Sequence, residues 1–319
     1  MTSLFEKITA AHQSIRPQVL VTPLKRSNLL SSALGCEVLF KWDFAQPTGS
    51  FKIRGATNRM LALAPDERRR GVTTASTGNH GLAVARAGAV AGVPVTVYVA
   101  QSTVPSKIAA IKAQGADLVV VDGPVIAAEL TARRDALDQG KVYVSPYNDI
   151  AVVAGQGTLG LELMEQAPDL DAVFIALGCG GLAGGAGTAI KHLRPGTRVI
   201  GVSPENSMAM LKSLEAGEIV DPGDKPTLSD GTAGAVEPGS ITFEICQAAI
   251  DETIAVTEDE IAAAMRRLAE TERLMVEGAA GVALAGLLKQ AERYRSCKVA
   301  VVLCGRNIGL DQFIAAVTR

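Results

Sequence analysis

Short apolar runs alternate with helical patterns along most of the chain. Six runs rich in Val, Ile, Leu and Ala predict buried β-strands, at residues 72–74, 95–99, 118–121, 172–177, 199–202 and 299–303. Most of them are followed by an amphipathic or buried helical pattern, such as the one at residues 81–90. Strands that alternate with helices in this way predict parallel sheets flanked by helices. The pattern therefore predicts an α/β fold.

The repeating units differ along the chain. Between about residues 71 and 147 they are short and regular, whereas longer helices and a glycine-rich loop occur before and after. A chain of 319 residues also exceeds the usual size of one domain. We therefore expect a small domain, residues 71–148, inserted into a large domain formed by residues 1–70 and 149–319. The polar stretch 220–239, rich in Pro and Gly, is expected to be a long loop with a functional role.

Charge and hydropathy narrow the function classes. The chain has 31 Lys and Arg against 33 Asp and Glu, without a long block of either sign, so no nucleic-acid partner is expected. The longest apolar stretch, residues 82–100, contains Arg86 and Pro94, which argues against a membrane span. The first residues lack the basic and apolar regions of a signal peptide. We therefore expect a cytoplasmic protein with no membrane partner.

The five cysteines are Cys36, Cys179, Cys246, Cys297 and Cys304. Their odd number, their wide spacing and the absence of a CxxC pair argue against both a disulfide framework and a zinc site. We expect five free thiols.

The first chemical motif is PTGSFKIRG at residues 47–55. It places a turn and a capping serine, Ser50, directly before a helix that begins with Lys52. The positive end of the helix dipole and partial burial both disfavour the ammonium form of this lysine and lower its pKa, which is the condition for a Schiff-base amine. An isolated Ser-x-Lys sequence is more often an ordinary surface lysine beside a cap, so this motif alone does not identify an enzyme.

The second motif, STGNHG at residues 76–81, lies between a predicted strand and a predicted helix. Small residues at such a turn leave backbone N–H groups free to bind an anion, such as a substrate carboxylate. Asn79 can donate and accept, and could hold a phenolic oxygen. His80 is more often a structural residue at a helix start than a catalytic base. Taken alone, the motif is more often a capped turn.

The third motif, GCGGLAGG at residues 178–185, follows a predicted strand and opens a helix. The loop contains no Lys or Arg, so its amides and the helix dipole would hold a phosphate dianion. Gly178, Gly180 and Ala183 also fit the G-x-G-x-x-G/A fingerprint of dinucleotide-binding proteins, which leaves an NAD-linked oxidoreductase as a remote alternative. The acidic ribose partner of that fingerprint is poorly placed here, because the nearest carboxylate, Glu205, lies beyond the end of the second strand.

The fourth motif, VAVVLCGRN at residues 299–307, is an apolar strand that ends in Cys304 and a glycine. Alone it indicates only the last strand of a core, with Cys304 as a small buried apolar residue.

Together, in this order and at about these distances, the four motifs resemble those of the fold-type II pyridoxal-phosphate (PLP) enzymes. Residues 48–55 closely resemble the Schiff-base motif of the serine racemases and threonine dehydratases. The similarity extends over nearly the whole chain and includes AGQGT at 154–158, Asp230-Gly231, and EGAAG at 277–281. The resemblance implies a tryptophan synthase β-like fold, in which PLP lies between two α/β domains with parallel sheets. It also implies a small amino-acid substrate and a homodimer.

The resemblance also implies roles for residues of the motifs. Lys52 would carry PLP as a Schiff base and move the Cα proton of the substrate, with Phe51 packed beside it. Cys304 would face the pyridine nitrogen of the cofactor, and Asn79 would contact its phenolic oxygen. The phosphate would be held by Gly178, Cys179, Gly180, Gly181 and Leu182, and the substrate by Ser76, Thr77, Asn79 and His80.

The chain departs from the serine racemases at several of these positions. Thr77 replaces a serine of the racemases and an alanine of many threonine dehydratases; it is the second candidate catalytic residue, but its extra methyl group disfavours racemisation. Ser203, Ser207 and Ala209 replace the acidic ligands of a divalent cation, so no metal site is expected. Tyr147, near the expected mouth of the site, either shapes a pocket for a larger substrate side chain or is purely structural.

The function implied is that of a PLP-dependent dehydratase. A neutral thiol at the pyridine nitrogen makes the ring a weaker electron sink than an aspartate would, which favours elimination at Cβ. The enzyme would convert a β-hydroxy amino acid, such as serine, threonine or phenylserine, into a 2-oxo acid and ammonia. No motif loop supplies an extra cation for a second carboxylate, which favours an uncharged side chain. An amino-acid racemase is the nearest alternative, and a PLP-holding protein without turnover is the non-catalytic one.

Overall fold

The computed structural model describes residues 2–103, 105–123 and 125–319, and within these ranges the chain forms ten strands and fourteen α-helices. The strands are β1 Leu24–Arg26, β2 Glu37–Lys41, β3 Val72–Ala75, β4 Val95–Ala100, β5 Asp117–Val121, β6 Val142–Tyr143, β7 Ala172–Ala176, β8 Arg198–Pro204, β9 Glu252–Val256 and β10 Lys298–Val302. The helices are α1 Leu4–Ser14, α2 Asn28–Leu34, α3 Lys52–Leu61, α4 Pro65–Arg70, α5 Asn79–Ala91, α6 Pro105–Lys112, α7 Val125–Asp138, α8 Ile150–Gln166, α9 Gly181–Leu193, α10 Ala209–Ala216, α11 Ile241–Ala249, α12 Glu258–Glu272, α13 Gly278–Lys289 and α14 Leu310–Val317.

The strands form two sheets. The six-stranded sheet has the order β1-β2-β10-β7-β8-β9, and all its neighbours are parallel except the antiparallel pair β1 and β2. The four-stranded sheet, β5-β4-β3-β6, is entirely parallel. The predicted α/β fold with two parallel sheets is therefore confirmed. All strands of the smaller sheet lie within residues 71–148, but the domain boundaries themselves stay a prediction.

All six predicted strands are present as β3, β4, β5, β7, β8 and β10, with ends that differ by no more than two residues. The other four strands, β1, β2, β6 and β9, were not predicted from the sequence. Residues 220–239 contain one turn of 3₁₀ helix, Asp230–Thr232, and otherwise no helix or strand, as expected of a long loop. No helix among the described residues is long and apolar enough to cross a membrane.

Helices α3 and α8 lie where the two sheets meet. Ile53 and Met60 of α3 and Val152 of α8 belong to the apolar core of the smaller sheet. Farther along α8, Leu159 and Leu163 belong to the core of the larger sheet. Because parallel strands end at the same edge of a sheet, the loops after β2, β7 and β10 converge at this junction. These loops carry three of the four sequence motifs.

Candidate active site

Lys52 is held at the carboxyl end of β10 by the backbone. The amide of Phe51 donates to the carbonyl of Cys304 (2.9 Å), and Ser50 forms an antiparallel bridge with Gly305. Helix α3 begins at Lys52 as predicted, but the expected cap is wrong: the N-cap residue is Phe51, with no side-chain cap. Ser50 is instead committed to the bridge with Gly305, and its buried hydroxyl has no partner among the described residues. The end of β10 therefore positions the lysine.

The amine of Lys52 has one hydrogen-bond acceptor among the described residues. Nζ donates to the carbonyl oxygen of Pro146 (3.1 Å) and lies 5.1 Å from the centroid of the Phe51 ring. Burial lowers the pKa of Lys52 below its ordinary value, although neighbouring cysteine and glutamate side chains oppose this shift. A lysine that is less fully protonated is a better nucleophile towards a carbonyl group.

Arg54, two residues after Lys52, anchors α3 in the interior. Its guanidinium donates to Asp43 Oδ2 (2.9 Å) and to Glu162 Oε1 (2.7 Å), and Lys41 Nζ donates to Glu162 Oε2 (2.6 Å). All four of these side chains are fully buried. The network joins the start of α3 to β2 and to the last third of α8, and so fixes the helix that carries Lys52.

The glycine loop 178–182 connects β7 to α9 and is closely packed on its outer side. Gly180, the N-cap of α9, has φ +90°, and a Cβ there would lie 2.6 Å from Cys246 Sγ. A Cβ at Gly178 would lie 2.7 Å from the carbonyl oxygen of Thr232. Only glycine fits these two positions. The first amides of an α-helix lack acceptors within the helix, so the start of α9 can bind an anion.

Cys179 and Cys304 are neutral thiols. Burial raises the pKa of Cys179 to about 11 and that of Cys304 well above its ordinary value. Cys304 is only 2% exposed and lies two residues after the last residue of β10, so the end of this strand presents an uncharged group beside Lys52. All five cysteines are free, as expected.

His80 is a neutral buried side chain. Its Nε2 lies 3.0 Å from the carbonyl oxygen of Val144, which can only accept, so Nε2 carries the proton. Burial and the charge of Lys52 together lower the pKa of His80 to about 3. The ring therefore brings no positive charge to a substrate carboxylate. Backbone amides at the start of α5 remain for that role, beside the partly exposed Ser76 and Thr77.

Asn79, the first residue of α5, lies between Glu277 and Asn307, which flank elements packed on the larger sheet. Its Nδ2 donates to Glu277 Oε1 (2.8 Å), and its Oδ1 accepts from Asn307 Nδ2 (2.6 Å). Glu277 is only 4% exposed. The side chain of Asn79 is thus fixed where the two sheets meet.

Tyr147 backs the glycine loop. A Cβ at Gly181 would lie 3.2 Å from the Cβ of Tyr147. The tyrosine hydroxyl accepts from the amide of Glu237 (3.1 Å), and Arg133 Nη2 donates to Glu237 Oε2 (2.8 Å). Tyr147 therefore joins the glycine loop to the long loop 220–239, which supports the structural alternative for this residue.

Ser203 and Ser207, which replace acidic cation ligands of the racemases, donate hydrogen bonds within the protein. Ser203 Oγ donates to the carbonyl oxygen of Leu177 (2.7 Å), and Ser207 Oγ to Asp224 Oδ1 (2.6 Å). Within the described parts of the chain, no three His, Cys, Asp or Glu side chains form a group that could hold a metal ion.

The structure brings the predicted residues of all four motifs to one place, and it adds residues that sequence reasoning missed. Glu277 was noted only within a resembling segment, and Asn307 and Glu237 were not singled out. A carboxylate directly before the apolar helix α13 was the one local signal for Glu277.

The donor set around Lys52 fits PLP. The start of α9 offers amides and no cation to a phosphate, Asn79 offers an N–H to a phenolic oxygen, and Cys304 offers a neutral thiol to a ring nitrogen. The hydroxyl of Ser50, next to the turn that leads to Lys52, and Nδ1 of His80 are buried without a partner among the described residues.

Comparisons with known proteins agree with this fit. Residues 15–305 match the family model described as pyridoxal-phosphate dependent enzyme. The chain is 40% identical over 306 residues to an L-threonine ammonia-lyase of Thermotoga maritima, which covers 96% of this chain and 76% of the relative. The processed threonine deaminase isoform 2 of Solanum lycopersicum superposes with a TM-score of 0.94 at 32% identity, covering 98% of this chain and 92% of the other. Maize serine racemase superposes with a TM-score of 0.92 at 29% identity, covering 98% and 96%.

Proposed function

The chain belongs to the pyridoxal-phosphate dependent enzyme family, and on that premise we propose that it is a dehydratase of β-hydroxy amino acids. It converts its substrate to a 2-oxo acid and ammonia by α,β-elimination. The observation that carries this function is the position of Lys52, whose amine lies between a neutral thiol at the end of β10 and the loop of free amides before α9. Relatives named for threonine ammonia-lyase and threonine deaminase activities support the same reaction class.

The residues that hold the cofactor in this proposal come from three elements. Lys52 and Phe51 lie at the start of α3, Asn79 at the start of α5, and Cys304 at the end of β10. The phosphate is bound by amides of the loop from Gly178 to Leu182. When bound, PLP supplies a conjugated electron-withdrawing ring that acidifies the Cα–H bond of the substrate amino acid.

Lys52 is the base in this proposal. Burial lowers its pKa, which favours the neutral amine that can take the proton from Cα. The electron pair of the Cα–H bond then forms the Cα=Cβ bond, and the β-hydroxyl leaves with a proton as water. The resulting enamine is hydrolysed to the 2-oxo acid and ammonia. Backbone amides at the start of α5 orient the carboxylate.

Cys304 favours elimination over racemisation. Its pKa is raised well above the ordinary value, so it cannot form an ion pair with a protonated ring nitrogen. A neutral thiol at the ring nitrogen would leave bound PLP a weaker electron sink, which would favour loss of the β-hydroxyl over return of the proton to Cα.

The second candidate function is amino-acid racemisation, which the fold similarity to maize serine racemase favours. Racemisation needs a proton donor on the face opposite Lys52, and Thr77 is the candidate. We assign it a minor role, because the β-branched side chain of threonine has less freedom at χ1 than the serine of the racemases.

An uncharged substrate side chain is the better match to the charges near the site. Lys107 lies 3.8 Å from Asp230, and Arg133 contacts both Glu129 and Glu237 at 2.8 Å. These cations already face carboxylates, so they offer little to a second carboxylate of the substrate. We also propose that the protein is a homodimer, which gel filtration with light scattering would test. We propose that it is located in the cytoplasm, which cell fractionation would test.

The test of the proposed function is reduction of the holoenzyme with sodium borohydride, followed by peptide mass spectrometry. Wild type should carry the reduced cofactor on Lys52. Lys52→Ala should lose it together with at least about 10²-fold of the keto-acid production, the lower limit for a lost general base. The exposed Lys25 provides a matched control, since Lys25→Ala should match wild type in both measurements. A Lys52→Ala enzyme that still forms keto acid at the wild-type rate would refute the proposal.

A further inference from the structure

Glu277 is a buried carboxylate that accepts hydrogen bonds at both oxygens. Oε1 accepts from Asn79 Nδ2 (2.8 Å), and Oε2 accepts from the backbone amide of Asn307 (3.0 Å). The side chain is only 4% exposed and lies directly before α13. A buried carboxylate is retained only where its oxygens are satisfied, so these two contacts define its orientation.

The orientation of the Asn79 amide follows from one backbone carbonyl. Asn307 Nδ2 lies 2.8 Å from the carbonyl oxygen of Thr48, which can only accept, so this atom of Asn307 must be nitrogen. The same nitrogen lies 2.6 Å from Asn79, which must therefore present its oxygen. The nitrogen of Asn79 then faces Glu277, as its hydrogen bond requires. The hydrogen bonds that link Thr48, Asn307, Asn79 and Glu277 therefore allow only one orientation of each amide side chain.

Two glycines let this network lie directly against the backbone that carries Lys52. A Cβ at Gly305 would lie 2.1 Å from Glu277 Oε1, and a Cβ at Gly49 would lie 2.4 Å from Asn307 Oδ1. Gly49 also has φ +73°, a conformation that disfavours other residues. The network is therefore built into the same loops that place Lys52 and Cys304.

We propose that Glu277 and Asn307 are positioning residues that hold the Asn79 amide as a hydrogen-bond donor to the cofactor. Oδ1 of Asn79 is occupied by Asn307, and one hydrogen of Nδ2 is occupied by Glu277, which leaves the second N–H for the ligand. Asn79 can then donate to an ionised phenolic oxygen but cannot accept from a protonated one. The network selects the ionised form. This inference rests on the proposed function, because it assumes that Asn79 contacts the cofactor.

The charge of Glu277 controls the network. Burial raises its pKa to about 7, with Asp230 adding to the shift, while the N–H groups of Asn79 and Asn307 and the charge of Lys107 oppose it. Lys52 and Cys304 are the other titratable groups that face it. Protonation turns one acceptor oxygen into a donor that faces an N–H group. Both hydrogen bonds therefore persist only above this pKa.

Glu277→Gln imitates the protonated form, because glutamine presents one acceptor and one donor. Whichever way the amide of glutamine turns, one N–H group faces another, and Asn79 cannot flip without facing Asn307 Nδ2. We expect about tenfold weaker binding of PLP, the effect of one weakened hydrogen bond to a charged acceptor. Asn307→Ala, at an exposed position, frees Oδ1 of Asn79 and should weaken binding in the same direction.

The measurement is the Kd of PLP by equilibrium dialysis between pH 6 and 9, with the absorption spectrum of each holoenzyme. Wild type should bind more tightly than Glu277→Gln above about pH 7, and the two affinities should converge below it. The difference between the two curves of Kd against pH reports the titration of Glu277 alone, because the cofactor phosphate titrates in both proteins. Glu260→Gln is the matched control: Glu260 also accepts a backbone N–H, from Thr257 (2.8 Å), but lies in the capping box of α12.

Equal affinity and equal spectra for wild type and Glu277→Gln would overturn the role of Glu277, and the same result for Asn307→Ala would overturn that of Asn307. If Glu277→Gln does not fold, Asn307→Ala decides alone. Failure of the proposed function is a separate result, since the wild-type holoenzyme would then form no keto acid, whatever its affinity for PLP.

Discussion

Glu162 is the acceptor on which the buried ion network depends. It lies in the last third of α8 and accepts from Arg54 at both oxygens (2.7 and 2.9 Å), from Lys41 (2.6 Å) and from Arg16 (2.9 Å). Burial alone would raise the pKa of Glu162, but the charges and hydrogen bonds of Arg54 and Lys41 outweigh burial and lower it to about 2. The carboxylate is therefore fully charged at neutral pH.

Glu162→Gln should strongly destabilise the protein. The change keeps the shape of the side chain but removes its charge, and it leaves two fully buried cations, Lys41 and Arg54, with Asp43 as the remaining buried anion of the network. Breaking a buried ion pair from one side costs about 3 to 5 kcal/mol. For a chain of 319 residues this free energy corresponds to a fall of about 6 °C in the midpoint of thermal unfolding.

The assay is thermal and urea unfolding of wild type, Glu162→Gln and a control on the same helix. Glu165→Gln makes the same chemical change at a side chain that is 59% exposed and pairs with His12 (3.2 Å). The free energy of unfolding of this control should change by less than about 1 kcal/mol. A Glu162→Gln protein within 1 kcal/mol of wild type, or a control equally destabilised, would show that the network does not hold α3 as argued.

Three further predictions concern pH, metal and reaction outcome. The pKa of Glu162 in the folded protein lies below its unfolded value of about 4.5. The carboxylate therefore stabilises the fold by about 3 kcal/mol above pH 4.5, and this stabilisation is lost as the pH falls towards 2. Between pH 5 and pH 3 the free energy of unfolding should fall less in Glu162→Gln than in wild type. EDTA should leave keto-acid production unchanged, because Ser203, Ser207 and Ala209 replace acidic cation ligands; activity that is lost on chelation and restored by magnesium would refute this. Wild type should form keto acid much faster than the D-amino acid, and Thr77→Ser should raise racemisation by supplying a less restricted hydroxyl donor; chiral chromatography beside a keto-acid assay would measure both, and equal rates in the wild type would make racemase the better description.

Strands buried on both faces could be predicted from the sequence, because their apolar runs are continuous. This holds for β4, β7 and β10, whose residues are buried along nearly the whole strand. Strand β2 escaped prediction because its apolar stretch of three residues is flanked by Glu37 and Lys41. Lys41 is nevertheless fully buried, since it is paired with Glu162, which lies 121 residues away in the chain. Local patterns carry no signal of such a partner.

The same dependence on distant partners determined which residues of the candidate site could be predicted from the sequence. The four motifs are local sequences, so Lys52, Asn79 and the glycine loop could be found without a structure. Glu277 and Asn307 contact Asn79 across 198 and 228 residues of the chain. Their function depends on how the two sheets meet, which neither periodicity nor spacing describes. Ser50 was predicted as a cap for the same reason, since its bridge to Gly305 is not visible in the local sequence.

Helix α3 carries a structural residue, Arg54, and the proposed catalytic residue, Lys52, on opposite sides. Lys52 and Arg54 are two residues apart, about 200° around the helix, and so point to opposite sides of it. Arg54 faces Asp43 and Glu162, which raise its pKa above an already high value and keep it charged. Lys52 faces neutral thiols, a backbone carbonyl and the carboxylate of Glu277, and burial outweighs the opposing effect of that carboxylate and lowers the pKa of Lys52. If the carboxylates of the network lay on the Lys52 side instead, they would hold its ammonium form and suppress both nucleophilic attack and proton abstraction. The division of charge across α3 is therefore a requirement of the proposed reaction as well as of the fold.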